Sequence, residues 1–324
     1  MTNGCTSHGY LNVIKPPGMT SHDVVGWIRR RTSHRRVGHT GTLDPAATGV
    51  LPIALGDATK TVAAEAWDVK AYWADIRFGE ASDTDDGEGS VIRSGDPSHI
   101  TARLAAQALS RFLGTSVQQP PAYSAVHVDG KRAYTMARRQ KGQRDAAPAL
   151  PRARQVQIDA VTVLGWSAPM LSLVIQCHSG TYVRSLARDL GDVLGCPSHL
   201  GALVRLSVGP FSIGDAISLE TLEEVGSDSW NHLIWPADIA AQERDALIVP
   251  EARSTDMVNG RAWQRFPKIG AVTTLDAATV NSADERAGLT MRQARVYADG
   301  GGFLGFAEER IGDSWQPTKR LRAG

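Results

Sequence analysis

The chain has 324 residues, of which 42% are hydrophobic and 21% are charged, and its net charge is +1. This length suggests two domains or one large one, and the composition is that of a globular protein with a sizeable core. No run of eighteen apolar residues occurs and the first residues are polar, so we expect neither a membrane span nor a secretion signal. Cys5, Cys177 and Cys196 show no CxxC spacing, which predicts reduced thiols in a cytoplasmic protein and no zinc site.

The hydrophobic pattern predicts strands and helices that alternate along the first two thirds of the chain. In chain order we predict a strand at residues 10–14, a helix from 20 to about 31, strands at 50–55 and 69–78, a helix at 101–113, a hairpin at 126–130, strands at 156–166 and 170–177, a helix at 181–194 and a strand at 200–211. This alternation, with hairpins between several neighbouring strands, indicates an α+β fold with a mixed sheet rather than a doubly wound one. We expect the helix at 101–113 to bury Leu104, Ala105, Leu109 and Phe112, and the helix at 181–194 to carry Leu186, Leu190, Val193 and Leu194 on a common face.

The composition changes near residue 247, where short strands separated by glycine turns begin. Strands are predicted near residue 271, at 294–297 and at 303–307, and both Asn259-Gly260 and the glycines at 300–302 are typical of hairpin turns. We therefore expect a unit at 1–246 and a small β-rich unit at 247–324. Residues 140–151 are rich in alanine, proline and basic side chains without any period, which predicts a flexible insertion.

Basic residues are clustered although the net charge is close to zero. The clusters are Arg29, Arg30, Arg31, Arg35 and Arg36, a second group between residues 131 and 154, and a third at 319–322. Segregated basic patches of this kind are suited to gripping phosphates. The alternative is a set of solvated arginines. Some of them lie at the C-terminal end of a predicted helix, where positive charge interacts favourably with the helix dipole.

The most informative stretch is a loop at residues 38–50, which reads GHTGTLDPAATGV. It holds one carboxylate, Asp44, together with three glycines and Pro45, and no lysine, arginine or second acid. Glycine permits tight turns and close approach to a ligand, and Pro45 restrains Asp44 to an extended conformation. Such a loop could aim one acid at one atom. The alternative is an ordinary Asp-Pro turn.

Four motifs, in this order, resemble those of the pseudouridine synthases of the TruB family. They are KPPGMTS at residues 15–21, the loop at 38–50, KAY at 70–72 and GTYVRSL at 180–186. The similarity covers roughly residues 10–211. It implies a pseudouridine synthase fold, with a central mixed, mainly antiparallel sheet flanked by helices. The layout of the C-terminal unit is similar to the PUA-like RNA-binding domain that ends many proteins of this family.

The resemblance implies isomerisation of uridine to pseudouridine at position 55, in the T-loop of tRNA, without cofactor or metal. Asp44 would be the nucleophile, Arg184 its ion-pair partner and Tyr72 the residue that stacks on the flipped base. A buried aspartate needs a cation to remain ionised, and arginine can bind it through two donors. On a helix Arg188 could serve equally, and only the motif selects Arg184. Without the motif, Tyr72 would be core packing.

The resemblance also assigns four residues to substrate binding or its support. His39 would fill the space in the RNA that the flipped base vacates, and Lys15 would buttress the Asp44 loop. Leu203 would line the uracil pocket. Tyr182 is assigned to substrate binding because it lies in the GTYVRSL motif. The alternative for His39 is a histidine bonded to its own loop.

The implied partner is the T-arm of tRNA, bound by a monomer with no membrane association and no obligatory protein partner. A second possibility within the family is the catalytic subunit of a guide-RNA-directed particle, which usually carries lysine-rich tails that this chain lacks. A third is an RNA-binding or tRNA-folding module whose loop is only structural. A glycoside hydrolase built on Asp44 is disfavoured, because the matched motifs contain no second carboxylate.

Overall fold

A computed structural model of the chain describes residues 5, 7–62, 68–123, 127–128, 131–132, 151–242, 244–264, 293–310 and 314–321. The α-helices in these residues are α1 (Ser21–Arg29), α2 (Ala102–Leu109), α3 (Val183–Leu194), α4 (Leu219–Val225) and α5 (Glu251–Asn259). The strands are β1 (Gly9–Lys15), β2 (Val37–His39), β3 (Thr48–Leu55), β4 (Val69–Phe78), β5 (Glu80–Ser82), β6 (Val91–Ser94), β7 (Gly114–Gln118), β8 (His127–Val128), β9 (Lys131–Arg132), β10 (Arg154–Ser167), β11 (Met170–His178), β12 (Ser198–Val208), β13 (Phe211–Ser212), β14 (Ile217–Ser218), β15 (Ile234–Trp235), β16 (Asp245–Val249), β17 (Trp263–Gln264), β18 (Gln293–Ala298), β19 (Phe303–Arg310) and β20 (Ser314–Arg320).

The larger sheet has eleven strands and is mixed. Its main order is β14-β1-β3-β12-β4-β11-β10-β7, while β2, β13 and β15 pair with β3, β12 and β1. Only β1 with β14 and β3 with β12 are parallel pairs in this sheet, as far as the described residues extend. The predicted α+β fold with a mixed, mainly antiparallel sheet is therefore confirmed.

The helices and strands follow from the local sequence in most places. Thr20 caps α1 through a reciprocal pair of hydrogen bonds with Asp23, which satisfies backbone donors at the start of the helix. In β4 every second side chain from Tyr72 to Phe78 is buried, as the period of a strand requires. In α2 the predicted burial of Ala105 and Leu109 is confirmed, but that of Leu104 is wrong, because it is exposed. On the predicted common face of α3, Leu186 and Leu190 are buried, whereas Val193 is exposed.

A second sheet has the order β16-β18-β19-β20-β17 and gives the C-terminal part its β-rich character. The glycines at 300–302 do form the turn between β18 and β19. The prediction that Asn259-Gly260 is a hairpin is wrong, because Gly260, with a φ of +75°, ends α5 instead. The strand predicted near residue 271 and residues 140–150 of the predicted insertion lie outside the described residues.

The C-terminal part of the chain is in contact with the part that forms the larger sheet. Arg295 of β18 lies 3.3 Å from the carboxylate of Asp238, which also accepts a hydrogen bond from Tyr297. Lys60 donates to the carbonyl of Arg320 at 2.9 Å. No helix within the described residues has the length and apolar character needed to cross a membrane.

Candidate active site

The loop that carries Asp44 joins β2 to β3 and is fixed from several sides. Ser21, buried at the start of α1, hydrogen-bonds the carbonyl and the amide of Leu43 at 3.0 and 2.8 Å. At Gly49, which has a φ of +105°, a side-chain carbon would lie only 2.3 Å from the backbone oxygen of Arg205. Glycine is therefore required at this end of the loop, both for its conformation and for the close approach.

Lys15 supports the loop from inside the protein. Its fully buried ammonium donates to the carbonyl of Pro45 at 3.0 Å, and to those of Pro16 and Met19 at 2.8 and 2.6 Å. Burial lowers the pKa of Lys15 to about 8, while the three acceptors satisfy all the donors of the ammonium. Lys15 thus connects the residue after Asp44 to the first motif of the chain.

Arg184, in the first turn of α3, is held by four groups. Its Nε lies 2.9 Å from Oδ2 of Asp44, and its Nη1 lies 3.6 Å from Oδ2 of Asp86. Its Nη1 and Nη2 also donate to the carbonyls of Thr84 and Tyr123 at 3.0 and 2.9 Å. The side chain is only 5% exposed, so the guanidinium presents one fixed orientation to Asp44.

Asp44 is enclosed but remains accessible. Burial raises the pKa of Asp44 above its usual value, Arg184 opposes the rise, and Asp86 adds to it. Even so, 37% of the side chain is exposed to solvent. A carboxylate whose pKa is perturbed by burial and by one specific cation, and which is still reachable from a cleft, is typical of functional sites.

A cavity of about 240 Å³ opens beside the ion pair. Five of the seven site residues predicted from the sequence line it, and they are Asp44, Tyr72, Tyr182, Arg184 and Leu203. The other two, His39 and Lys15, are not among its lining residues. Four stretches that are distant in the sequence therefore meet at one cavity.

Two neighbouring strands supply the aromatic and apolar part of the cavity wall. Tyr72 of β4 is only 8% exposed, and Leu203 lies on the adjacent strand β12. Burial raises the pKa of Tyr72, while the positive charge of Arg205 and its hydrogen bond to the phenol oppose the rise. The phenol is therefore protonated at neutral pH.

Two cations, Lys70 and Arg154, lie at the cavity without a carboxylate partner. Lys70 donates to the hydroxyl of Ser179 at 2.9 Å, and Arg154 packs over the ring of Tyr182 at 4.8 Å. Neither forms an ion pair with any residue that the structure describes. Unneutralised cations in the lining of a cavity suit an anionic ligand such as a phosphodiester.

His39 is bonded within its own loop. Its Nδ1 accepts a hydrogen bond from the amide of Gly41 at 3.3 Å, and burial lowers the pKa of the imidazole. The ring is therefore neutral at pH 7 and is bonded to its own loop. Its suggested role of filling the space left by a base stays a prediction.

Sequence reasoning missed two residues of the site, Asp86 and Arg205. Nothing local separates Asp86 from the neighbouring acids Asp83 and Asp85, and only the fold brings it to Arg184. A signal for Arg205 was present, because it follows Leu203 by two residues on β12 and so lies on the same face of the strand.

The first arginine cluster is divided by its contacts. Arg29, Arg31 and Arg36 bind a backbone carbonyl or a carboxylate of the protein. Arg30 and Arg35 are exposed, and neither has an ion pair within the described part of the chain. These two are the members of the cluster that are available to an external anion.

Two family models match consecutive parts of the chain. The one described as TruB family pseudouridylate synthase (N terminal domain) matches residues 29–183. The one described as tRNA pseudouridylate synthase B C-terminal domain matches residues 184–242.

Similar proteins agree with these matches. The tRNA pseudouridine synthase B of Acaryochloris marina is 45% identical to this chain, over 67% of this chain and 73% of its own length. The tRNA pseudouridine synthase B of Corynebacterium diphtheriae is 41% identical, over 81% of this chain and 86% of its own length. A solved structure of a Cbf5-Nop10-Gar1 complex has a TM-score of 0.64 at 23% identity, covering 94% of this chain and 79% of that one, which shows a shared fold. The chain therefore belongs to the TruB family of pseudouridylate synthases.

Proposed function

We propose that the protein converts uridine 55, in the T-loop of tRNA, to pseudouridine. The observation that carries the proposal is the ion pair between Asp44 and Arg184, 2.9 Å apart, at the wall of a cavity. The names of the relatives, tRNA pseudouridine synthase B, support the same substrate. The reaction breaks the bond between N1 and C1′ and joins C5 to C1′, so it needs no redox agent, phosphate donor or metal.

The cavity suits one nucleobase. Its volume of about 240 Å³ is below the range of roughly 300–1,000 Å³ that is usual for sites of drug-sized ligands. A stacked uridine must be flipped out of the RNA to enter, at a cost of a few kcal/mol. Stacking on Tyr72 returns about 1–3 kcal/mol of this cost, and Leu203 adds an apolar surface.

Asp44 acts as the nucleophile. Arg184 keeps its carboxylate ionised in a partly dry site and fixes its orientation, which is what an activated carboxylate needs. The position of the carboxylate is compatible with attack at C1′ of the ribose or at C6 of the base. In either course the carboxylate leaves again, the hydrogen at C5 departs as a proton and N1 gains one. We assign both proton transfers to Tyr72, whose hydroxyl first gives its proton to the uracil ring and then, as the phenolate, takes the proton from C5.

The tRNA is held by cations outside the reacting centre. Lys70 and Arg154 contact the backbone next to the flipped nucleotide, and Arg30 and Arg35 contact phosphates farther away. In this proposal residues 1–246 form the catalytic domain, and residues 247–324 form a PUA-like domain that binds RNA. The protein acts as a monomer in the cytoplasm without an obligatory protein partner, and its three buried, unpaired cysteines are compatible with a reducing compartment.

The test is release of tritium from C5-labelled uridine in a T-arm transcript incubated with the purified protein alone. The control is a transcript with cytidine at position 55 and C5-labelled uridine at its other positions, which tests whether release is specific to position 55. We expect release only from the first transcript. Release that requires a guide RNA and further proteins would assign the chain to a guide-directed particle. Binding of the transcript without release of tritium would instead identify the protein as an RNA-binding or tRNA-folding module. Light scattering of the protein and of its tRNA complex tests the monomer.

A further inference from the structure

Arg205 of β12 is a buried arginine that closes the Asp44 loop. Its side chain is 1% exposed, and it is among the largest fully buried side chains of the described residues. Its Nε donates to the carbonyl of Val50 at 2.7 Å, and its Nη2 donates to the carbonyl of Gly41 at 3.1 Å. These carbonyls lie on either side of Asp44 in the chain, so one guanidinium ties both ends of the loop together.

The backbone of Arg205 occupies the point where the loop meets the strand of Tyr72. In the parallel pairing of β12 with β3, Arg205 lies opposite Gly49, and in the antiparallel pairing with β4 it lies opposite Tyr72. The glycine at position 49 permits the first contact, because any side chain there would collide with Arg205. Arg205 is therefore the common neighbour of the nucleophile loop and of the stacking residue.

The positive charge of Arg205 is not explained by the loop alone. Two carbonyl oxygens could be satisfied by a neutral amide, whereas a buried guanidinium without a counter-ion is costly. No carboxylate lies within ion-pair distance of Arg205 among the residues that the structure describes. Beyond the two carbonyls, Arg205 lines the cavity beside Tyr72, the residue that lies opposite it on β4.

The chemistry of the two groups limits how they can face each other. Arginine has five N–H donors and no acceptor, so in any hydrogen bond between them the Tyr72 oxygen accepts from Arg205. The proton of the Tyr72 hydroxyl is then directed away from Arg205. Since Arg205 and Tyr72 both line the cavity, the hydroxyl proton of Tyr72 is available to a nucleobase bound in the cavity.

We propose that Arg205 is a positioning residue, which closes the Asp44 loop and orients the Tyr72 hydroxyl so that nucleophile and proton donor face the same nucleotide. The inference rests on the function proposed above. It assigns no contact between Arg205 and the RNA, so it predicts an effect on the chemical step and little effect on tRNA binding.

The experiment compares Arg205→Lys and Arg205→Ala with the wild-type protein. Single-turnover formation of pseudouridine gives the rate, and filter binding gives the dissociation constant for tRNA. Lysine keeps the charge but cannot reach both carbonyls and Tyr72 at once. A misplacement of about 1 Å costs about 10²-fold in rate, so we expect a loss of that size in Arg205→Lys with affinity within about threefold. Arg77→Lys, in which a half-exposed arginine of β4 is changed, is the matched control and should keep the wild-type rate.

Chemical rescue separates positioning from folding. Methylguanidinium added to Arg205→Ala should restore at least a tenth of the lost rate, whereas methylammonium should restore none. If Arg205→Ala does not fold by circular dichroism, Arg205→Lys alone decides. A wild-type rate in Arg205→Lys, a parallel loss of rate and affinity, or equal rescue by the two cations would overturn the inference. An inactive wild-type protein would instead refute the proposed function, so the two failures are distinguishable.

Discussion

Replacing Arg184 by methionine tests the central ion pair. The change removes the cation that lies 2.9 Å from Asp44 and 3.6 Å from Asp86, and keeps most of the side-chain volume. Two carboxylates then share a buried site without a counter-charge. Because Arg184 opposes the effect of burial on Asp44, its loss raises the pKa of Asp44 further and lowers the ionised fraction at neutral pH.

The size of the effect follows from the distance. At 2.9 Å and an effective dielectric constant of about 20, the attraction between Asp44 and Arg184 is about 6 kcal/mol. Since 37% of the Asp44 side chain is exposed, water screens the pair, and we take about half of this value as effective. About 3 kcal/mol corresponds to a loss of up to roughly 10²-fold in the rate of pseudouridine formation, which is reached at a pH below the pKa of Asp44 and shrinks as pH rises.

The assay is a single-turnover measurement at saturating tRNA over a range of pH. The rate of Arg184→Met should climb with pH in the range where the wild-type rate is already constant, because higher pH restores the ionised form of Asp44. The stability of the variant should show the opposite trend. A carboxyl group whose pKa is raised by folding stabilises the protein at low pH, and this stabilisation is lost as pH rises through the pKa of the folded state. The deficit in unfolding free energy should therefore widen from acid to neutral pH.

Arg188→Met is the matched control for this experiment. Arg188 lies one turn farther along α3, pairs with Asp85 and Asp189 at 2.7 and 2.8 Å, and does not line the cavity. We expect a loss of stability of similar size with a wild-type rate. Equal losses of rate in the two variants, or a rate of Arg184→Met that does not depend on pH, would refute the assignment of Arg184 as the partner of the nucleophile.

Three further predictions concern the nucleophile, the RNA contacts and the support of the loop. Asp44→Asn should abolish tritium release and change the tRNA dissociation constant by less than about threefold, because the carboxylate contacts no phosphate; a parallel loss of binding would contradict its role. Changing Arg30 and Arg35 to glutamine should weaken tRNA binding and reduce the slope of log affinity against log salt by about 0.7–0.9 for each phosphate that the protein no longer neutralises; an unchanged slope would make both arginines ordinary surface residues. Lys15→Met leaves buried carbonyls without a donor and should lower the free energy of unfolding in urea by about 3 kcal/mol, whereas a change below about 1 kcal/mol would show that water replaces the ammonium.

The parts of the fold that were predictable depend on local patterns. The helix α1, the strand β4 and the turn between β18 and β19 are each determined by residues close in sequence, and each is found where it is predicted. The errors arise where a local pattern has two solutions. Asn259-Gly260 fits a hairpin turn and equally a helix that ends on glycine, and only the packing of α5 on the second sheet decides.

The site was predictable to the extent that motifs mark it. Asp44, Tyr72 and Arg184 were selected by motifs, and the fold places all three at one cavity. Asp86 and Arg205 belong to no motif that we recognised, and their partners lie far away in sequence. The period of β12 does place Arg205 on the same face as Leu203, but the partners of both charges are identified only by what surrounds them in space.

The topology of the sheet explains why these distant residues meet. The strands β3, β12 and β4 are adjacent, and they carry the end of the Asp44 loop, Arg205 with Leu203, and Tyr72. The pairing of β3 with β12 is parallel, so the chain must cross over between them, and the crossover includes β4, β11 and the start of α3 with Arg184. The parallel pairing of β3 with β12, inside a mainly antiparallel sheet, thus brings the nucleophile, its cation and the aromatic wall of the cavity together. A change that weakened the contact between β3 and β12 would therefore separate Asp44 from Tyr72 and Leu203 together, and should lower the rate of the reaction before it unfolds the protein.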